Sequence, residues 1–323
     1  MAEASTTRLS LFVAVRLVEA IERELADAFE ATFAETDDSL AELRESATPF
    51  DAMLFSLDLK MGRAEIESLP NSVRALATYS VGTDHIDLDA AREHDLVVLN
   101  TPGVLADSVA ENALLLMLGA ARRATESIDL VRSRRWSGWT PTQLVGVQLG
   151  GRTLGILGMG DIGKRIAVRA RALGMEILYS NRRPLPADEL FSEGFRSSAA
   201  ELIRDSDVLL LACPSTDETR GIVDAELLAQ AKPGLILVNI ARGDLVVDEA
   251  LVEALRAGRV WAAALDVFDG EPDIASAYYD RPNVFMLPHT GSSTIEARMG
   301  MGLILIDGLR RWRAGEEIPN QVR

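Results

Sequence analysis

Short apolar runs alternate with segments of helical periodicity along the chain. In the first hundred residues, the apolar runs predict strands and the amphipathic segments between them predict helices. The predicted strands span residues 9–15, 52–55, 75–79 and 96–99, and the predicted helices span residues 19–29, 40–46 and 88–94. This alternation is typical of β-α units that form a parallel sheet. We therefore expect a first α/β domain.

A second series of the same kind begins after Gly150 and Gly151. It predicts strands at 154–157, 176–179, 208–211, 235–239, 262–265 and 284–286, with helices at 162–173, 199–205 and 249–257. Two helices, 108–121 and 126–134, link the two series, and an amphipathic helix from about 294 to 313 follows the second. The expected fold is α/β with two doubly wound parallel-sheet domains. The last helix would pack back on the first domain and make it discontinuous.

Composition narrows the possible functions. The chain has 323 residues, 48% of them hydrophobic, which is enough for two well-packed domains. Its formal net charge of -16 repels polyanions, so we do not expect nucleic-acid binding. A single cysteine, Cys213, leaves no disulfide framework or cysteine-rich metal site and favours a cytoplasmic protein. The apolar runs are far shorter than the ~20 residues that cross a bilayer.

A glycine motif starts the second series. Gly158, Gly160 and Gly163 form Gly-x-Gly-x-x-Gly between a predicted strand and a predicted helix. The first glycine permits a tight turn, the second lets backbone N–H groups approach a pyrophosphate, and the third lets helix and strand pack closely. In this context the motif predicts a dinucleotide-binding, Rossmann-like domain. The motif also contains Met159, Asp161 and Ile162, which we expect to contact the cofactor.

The end of the next predicted strand indicates which dinucleotide binds. An NAD site usually has an acidic residue there for the ribose 2′-OH. This chain instead has Ser180, Asn181, Arg182 and Arg183. Hydroxyl and amide groups can donate to a 2′-phosphate, and guanidinium groups can pair with it. We therefore predict NADPH as the preferred cofactor, with NAD possible.

Three chemically capable residues follow predicted strands of the second series, where open α/β sheets place their chemistry. Arg242 lies in Asn-Ile-Ala-Arg-Gly, Glu271 in Asp-Val-Phe-Asp-Gly-Glu-Pro, and His289 in Pro-His-Thr-Gly-Ser. With the glycine motif and an upstream Tyr-Ser-Val-Gly-Thr-Asp-His-Ile-Asp segment, this order resembles the D-isomer-specific 2-hydroxyacid dehydrogenases along essentially the whole chain. Within that family, the arginine pair and the tryptophan segment, Trp136-Ser-Gly-Trp139-Thr-Pro, look most like the NADPH-dependent glyoxylate/hydroxypyruvate reductases.

The resemblance implies roles that the chemistry allows. Arg242 would grip the substrate carboxylate, because a planar guanidinium offers parallel donors. His289 would donate the proton, since an unperturbed imidazole titrates at about 6.5. Glu271 would bond the other ring nitrogen, favour the charged imidazole and orient the ring. By resemblance, substrate would also meet the backbone N–H groups of Val81 and Gly82. Further substrate contacts are expected from Leu57 and Trp139.

The resemblance also implies a domain assignment and further cofactor contacts. Residues 1–103 and 291–323 would form the substrate domain, residues 104–290 the dinucleotide-binding Rossmann domain, with a cleft between them and a homodimer as the assembly. The further contacts are Leu105, Val109, Cys213, Pro214, Thr219, Ile240, Ala241, Asp266 on the carboxamide, His289 and Gly291. The family often has Thr at the position of Val109, so a side-chain hydrogen bond is missing there.

Several alternatives stay open at this point. Trp136 and Trp139 could wall a substrate pocket, possibly across a dimer, or could pack a helix end. His85 and His94 are expected to be structural. A D-3-phosphoglycerate dehydrogenase is the nearest rival activity, although only 34 residues follow His289, which leaves no room for an appended regulatory domain. A non-enzymatic dinucleotide sensor with this fold is the rival from another class, and a methyltransferase is a more remote one.

Overall fold

The chain divides into two units in a computed structural model that describes residues 8–322. Unit 1 contains the chain up to Leu105 and the chain from Ser293 onward, and unit 2 is Ala106–Ser292. Both divisions lie two residues beyond the boundaries expected after residues 103 and 290. Each unit has its own parallel sheet covered by helices, so the expected α/β fold class with two parallel-sheet domains is confirmed.

Unit 1 is built on a five-stranded sheet of order β2-β1-β3-β4-β5, in which all paired neighbours are parallel. Its strands are β1 (Ser10–Val13), β2 (Glu30–Phe33), β3 (Ala52–Phe55), β4 (Ala75–Thr78) and β5 (Val97–Leu99). Its helices are α1 (Glu19–Ala28), α2 (Ser39–Glu45), α3 (Arg63–Glu67), α4 (Leu88–Glu93) and α11 (Ile295–Ala314). Helix α11 packs on α1, β4 and β5, which joins the end of the chain to this unit.

Unit 2 is built on a six-stranded sheet of order β11-β10-β9-β8-β6-β7, again with parallel neighbours. Its strands are β6 (Thr153–Leu157), β7 (Glu176–Ser180), β8 (Val208–Leu211), β9 (Leu235–Asn239), β10 (Val260–Leu265) and β11 (Val284–Met286). Its helices are α5 (Ala106–Ala121), α6 (Ala124–Arg132), α7 (Asp161–Ala172), α8 (Ala199–Asp205), α9 (Ala225–Ala229) and α10 (Asp248–Arg256).

Burial explains why the central strands are apolar over nearly their whole length. Every residue of β3, β4, β8 and β9 is buried. A parallel sheet carries helices on both faces, so both sides of its inner strands lose contact with water. The strand ends therefore remain the places where polar side chains can emerge.

Among the described helices, none combines the length and apolar character that a membrane crossing requires.

All predicted strands and helices are present, with ends within two residues of those expected, but one strand and two short α-helices of the described residues were not predicted. Strand β2 is an edge strand without a buried residue, so no apolar run marks it. Helices α3 and α9 each have only five residues, too few for a helical period to be recognised. Asp224, whose side chain accepts from Leu227 N, was the one local sign of α9.

Candidate functional site

The glycine turn after β6 is shaped by close backbone contacts. Gly158 has a φ of 107°, and a Cβ there would lie 2.5 Å from Cys213 N. A Cβ on Gly163 would lie 2.3 Å from Gly158 O, so α7 can pack on the turn only without a side chain at that position. Both positions therefore require glycine for the fold of the turn itself.

Gly160 differs from the other two glycines. A Cβ built on it meets nothing within 4 Å, and its backbone is not in the left-handed region. In the part of the chain that the structure describes, the N–H groups of Asp161 and Ile162 at the start of α7 donate to no acceptor. Open space beside unused N–H groups at a helix N-terminus fits a pyrophosphate. The residues of this turn therefore fit a dinucleotide.

The segment after β7 contains the residues expected to select the cofactor. Ser180 is buried, and the Asn181 side chain accepts from Met159 N at 2.6 Å, which ties it to the glycine turn. Arg182 and Arg183 are exposed. The guanidinium groups of Arg182 and Arg183 are therefore open to solvent, whereas Ser180 is buried and the Asn181 side-chain oxygen already accepts a backbone hydrogen bond.

The loop after β8 carries Glu218, whose carboxylate feels the positive charge of Arg182. Hydrogen bonds from the Thr216 hydroxyl and from its own backbone hold the pKa of Glu218 below the usual value, and the positive charge of Arg182 adds to this effect. Thr219 uses its hydroxyl within the loop, donating to Pro214 O at 2.8 Å. The expected cofactor contact at Thr219 would therefore have to share a hydroxyl that already stabilises the loop.

Arg242, Glu271 and His289 are brought together within unit 2. His289 Nδ1 and Glu271 Oε1 are 2.5 Å apart, and each side chain is about a third exposed. Half-burial raises the pKa of the Glu271 carboxyl, but the hydrogen bond and charge of His289 and the positive charge of Arg242 outweigh it and leave this pKa below its usual value. The three residues expected to act together therefore interact.

Two residues that the sequence analysis missed hold the Arg242 segment. Asn239, at the end of β9, is 1% exposed; its side chain donates to Arg242 O at 2.7 Å and accepts from Ala241 N at 3.0 Å. A Cβ on Gly243 would lie only 1.8 Å from Phe268 C, so glycine lets this segment touch the Glu271 loop. Asn239 and Gly243 are the first and last residues of the motif that contains Arg242, and that position was the signal that could have found them.

Asp266 holds the backbone around His289. It is 1% exposed, its Oδ1 accepts from Thr290 N at 2.8 Å, and its Oδ2 accepts from Gly291 N at 2.8 Å. His289 has a φ of 52°, a conformation that a non-glycine residue adopts only when its surroundings impose it. The carboxylate expected to meet the cofactor carboxamide thus already binds two backbone N–H groups, with lone pairs to spare.

The remaining expected cofactor residues of unit 2 differ in how deeply they are buried. Val109, Met159, Ile240 and Gly291 are buried, Ile162, Cys213 and Ala241 are partly buried, and Pro214 is exposed. Leu105 is buried in unit 1. Burial raises the pKa of the Cys213 thiol to about 11, which agrees with an inert thiol.

The expected substrate residues of unit 1 lie on loops after its strands. Leu57 is 39% exposed. The side chain of Asn100 donates to Val81 O at 2.8 Å, and the Ser80 hydroxyl donates to Gly82 O at 2.7 Å. Within residues 8–322, the N–H groups of Val81 and Gly82 donate no hydrogen bond. The backbone carbonyls of Val81 and Gly82 are thus held by hydrogen bonds while their N–H groups stay available, and such paired N–H donors can bind a carboxylate.

The tryptophan segment has no regular structure. Trp136 is 54% exposed and donates to Gly138 O, and Trp139 is 79% exposed. The two alternatives for these side chains, a substrate pocket wall or a packed helix end, both stay predictions. His85, for which a structural role is expected, lies within unit 1, where its Nε2 is 2.9 Å from the Thr78 hydroxyl.

Comparison with known proteins decides the family. The D-isomer specific 2-hydroxyacid dehydrogenase, NAD binding domain, matches residues 114–291, more than half of the chain. This chain belongs to that family. The resemblance seen in the motifs is therefore confirmed, as is the expectation of an enzyme. Unit 2 contains the segments of Arg242, Glu271 and His289 and the whole of the matched region.

Relatives of this dehydrogenase have named activities. It is 42% identical over 265 residues to the glycerate dehydrogenase of Hyphomicrobium methylovorum, covering 81% of this chain and 82% of the relative. A glyoxylate reductase structure from Paecilomyes thermophila has 33% identity and a TM-score of 0.86, with 98% of both chains covered. The NADPH-dependent glyoxylate/hydroxypyruvate reductase of Sinorhizobium meliloti, in complex with NADP and malonate, has 30% identity and a TM-score of 0.86, with 98% of this chain and 97% of that chain covered.

Proposed function

We propose that this dehydrogenase uses NADPH to reduce a small 2-keto acid, glyoxylate or hydroxypyruvate, to the D-2-hydroxy acid. The observation that carries the proposal is the His289–Glu271 pair beside Arg242, at the carboxyl ends of strands in the NAD-binding unit. Relatives named glycerate dehydrogenase and glyoxylate reductase support the substrate class. Unit 1 is proposed as the substrate domain and unit 2 as the dinucleotide domain.

The chemistry divides among the three side chains. When bound, the nicotinamide supplies a hydride to the keto carbon. Arg242 binds the substrate carboxylate and carbonyl oxygen through parallel N–H donors, which orients the keto group and stabilises charge on its oxygen. His289 gives the proton on Nε2 to that oxygen as the carbonyl electron pair moves onto it. Neutral His289 then regains a proton from solvent.

Glu271 and Asp266 serve His289 rather than the substrate. The Glu271 carboxylate accepts a hydrogen bond from His289 Nδ1–H, which orients the ring and leaves Nε2 for the substrate. Its lowered pKa keeps it charged, so it stabilises the imidazolium before proton transfer. Asp266 holds the backbone on either side of the ring and is proposed to accept from the cofactor carboxamide with a remaining lone pair. Val81 and Gly82 are proposed to add backbone donors to the substrate carboxylate.

Selection of NADPH is proposed to depend on Arg182 and Arg183. Charge-assisted contacts to the 2′-phosphate disappear in the double alanine variant, so NADPH affinity should fall on the order of 100-fold or more while NADH affinity stays nearly unchanged. A matched control is Arg256→Ala, an exposed arginine on α10 paired with Glu253. Equal losses for the two cofactors in the double variant would refute this selection.

The activity is tested spectrophotometrically. NADPH and NADH are each combined with glyoxylate, hydroxypyruvate, pyruvate and phenylpyruvate, and D-glycerate is compared with 3-phosphoglycerate in the reverse direction. We expect the highest kcat/KM with NADPH and one of the first two acids. A preference for 3-phosphoglycerate would replace the proposal by the rival dehydrogenase, and no turnover with any acid would favour a dinucleotide-sensing role.

A homodimer through unit 2 is proposed as the assembly. Large apolar side chains are exposed along one stretch of unit 2, and a monomer would leave them in water: Leu115, Leu118, Ile128, Val131, Trp136, Trp139 and Val145. Trp139 is proposed to reach a substrate pocket in that assembly. Light scattering coupled to size exclusion should give about twice the 35.0 kDa chain mass. A monomer at micromolar concentration would contradict it.

A further inference from the structure

The loop that carries the arginine pair has one backbone donor at its most constrained point. Pro184 and Pro186 have no N–H, and their rings fix φ at about −65°. Leu185, between them, is therefore the only residue of 184–186 that can donate a backbone hydrogen bond. Its N–H donates to the Tyr179 hydroxyl oxygen at 2.8 Å. The backbone of residues 184–186, directly after the two arginines, is thus held by a hydrogen bond to the side chain of Tyr179.

Tyr179 also holds the end of the same loop. Its side chain is completely buried in β7, its carbonyl accepts from Arg196 N at 2.8 Å, and its ring lies 5.6 Å from that of Phe195. One residue therefore fixes the chain where it leaves the strand and where it returns. Between these points, the ion pair of Lys164 with Glu189 gives the loop a further attachment to α7.

We propose that Tyr179 is a positioning residue that sets the selectivity for NADPH over NADH, an inference that rests on the proposed role of the arginine pair. A fixed loop presents both guanidinium groups before the cofactor arrives, so little conformational entropy is lost when they bind the 2′-phosphate. Without the phenol oxygen, Leu185 N–H has no acceptor and the loop must be ordered during binding. Only the cofactor that uses the arginines then loses affinity.

The test is Tyr179→Phe, which keeps the ring and removes the acceptor. Dissociation constants for NADPH and NADH are measured by fluorescence titration. We expect NADPH binding to weaken by about 5- to 20-fold and NADH binding to change less than about twofold. The matched control is Tyr278→Phe, which removes another buried hydroxyl of unit 2, one that donates to Asp248, and should leave the ratio of the two affinities unchanged.

A double-mutant cycle separates positioning from a structural role. In a background that carries Arg182→Ala and Arg183→Ala, Tyr179→Phe should no longer weaken NADPH binding, because the groups that it positions are absent. The same loss in both backgrounds, or equal losses for NADPH and NADH, would overturn the inference. So would an unchanged ratio in Tyr179→Phe.

Two further results keep the inference testable independently of that variant's folding. Hydrogen exchange of the Leu185 amide in the wild-type protein should be slow, and exchange as fast as that of a free loop amide would overturn the proposed anchor. Equal affinity of the wild-type protein for NADPH and NADH would refute the cofactor preference itself. A wild-type preference that survives in Tyr179→Phe would instead refute only the role of Tyr179.

Discussion

Gly243→Ala should damage catalysis while leaving the glycine turn intact. The new Cβ would lie 1.8 Å from Phe268 C and 2.0 Å from Asp269 N, and both atoms belong to backbone that cannot rotate away. An ordinary contact begins at 3.4 Å, so the two segments must separate by about 1.6 Å. Phe268 N donates to Glu271 Oε2, so this separation moves the Glu271 carboxylate relative to Arg242.

The expected loss is large because catalytic groups tolerate little displacement. A misplacement of about 1 Å can cost on the order of 100-fold in rate, so kcat/KM for the 2-keto acid should fall by at least about 100-fold. Overpacking should also lower the free energy of unfolding by about 1–3 kcal/mol. Affinity for NADPH should fall less than kcat/KM, since Gly158, Gly160 and Gly163 lie on a different segment and only the expected contacts of Ile240, Ala241 and Asp266 lie near the clash.

The assay combines NADPH oxidation, cofactor titration and thermal melting. Gly62→Ala is the matched control: its Cβ would meet only the flexible end of Glu65 at 2.9 Å, so activity should be nearly unchanged. A folded Gly243→Ala protein with kcat/KM within about threefold of the wild type would refute the claim that this contact sets the catalytic geometry.

Three further predictions concern the same site. His289→Gln should lower kcat by roughly 10²–10⁴ with little change in NADPH affinity, and unchanged turnover in steady-state assays would remove His289 from the mechanism. Asp266→Asn places an amide against the N–H groups of Thr290 and Gly291, so it should lower the unfolding free energy by about 1–3 kcal/mol, measured by denaturant titration; an unaltered midpoint would contradict this. The folded-state pKa of Glu271 is lowered, so its stabilisation is complete above the ordinary value of 4.5 and is lost as pH falls through the folded value. The stability difference between wild type and Glu271→Gln should therefore be greatest near neutral pH and shrink below pH 4.5, and a difference independent of pH would count against it.

Much of this architecture could be predicted because its signals are local. The alternation of apolar runs and amphipathic segments predicts parallel β-α units, since a buried strand must be apolar on both faces and a surface helix on one. Gly158 and Gly163 mark the turn because no other residue fits there. Arg242, Glu271 and His289 could be chosen because each follows a strand, and parallel strands of one sheet end at the same edge.

The chemistry of individual side chains was harder to predict. Ser180 and Asn181 have groups that can donate to a phosphate, yet one is buried and the other binds Met159. Trp139 is apolar, yet it lies 79% exposed. Residue type limits what a side chain can do, but its environment decides which of those interactions is left available.

The amino-acid sequence by itself determined the alternation of strands and helices, the glycine turn and which three residues are candidates for catalysis, because these depend on residues that are neighbours along the chain. Only the tertiary structure decided that β2 lies at a sheet edge, that Asp266 binds the backbone 24 residues away at Thr290, and that Gly243 touches the segment of Phe268. Such contacts join segments far apart in sequence, and the distances between their atoms are set by how whole strands and helices pack.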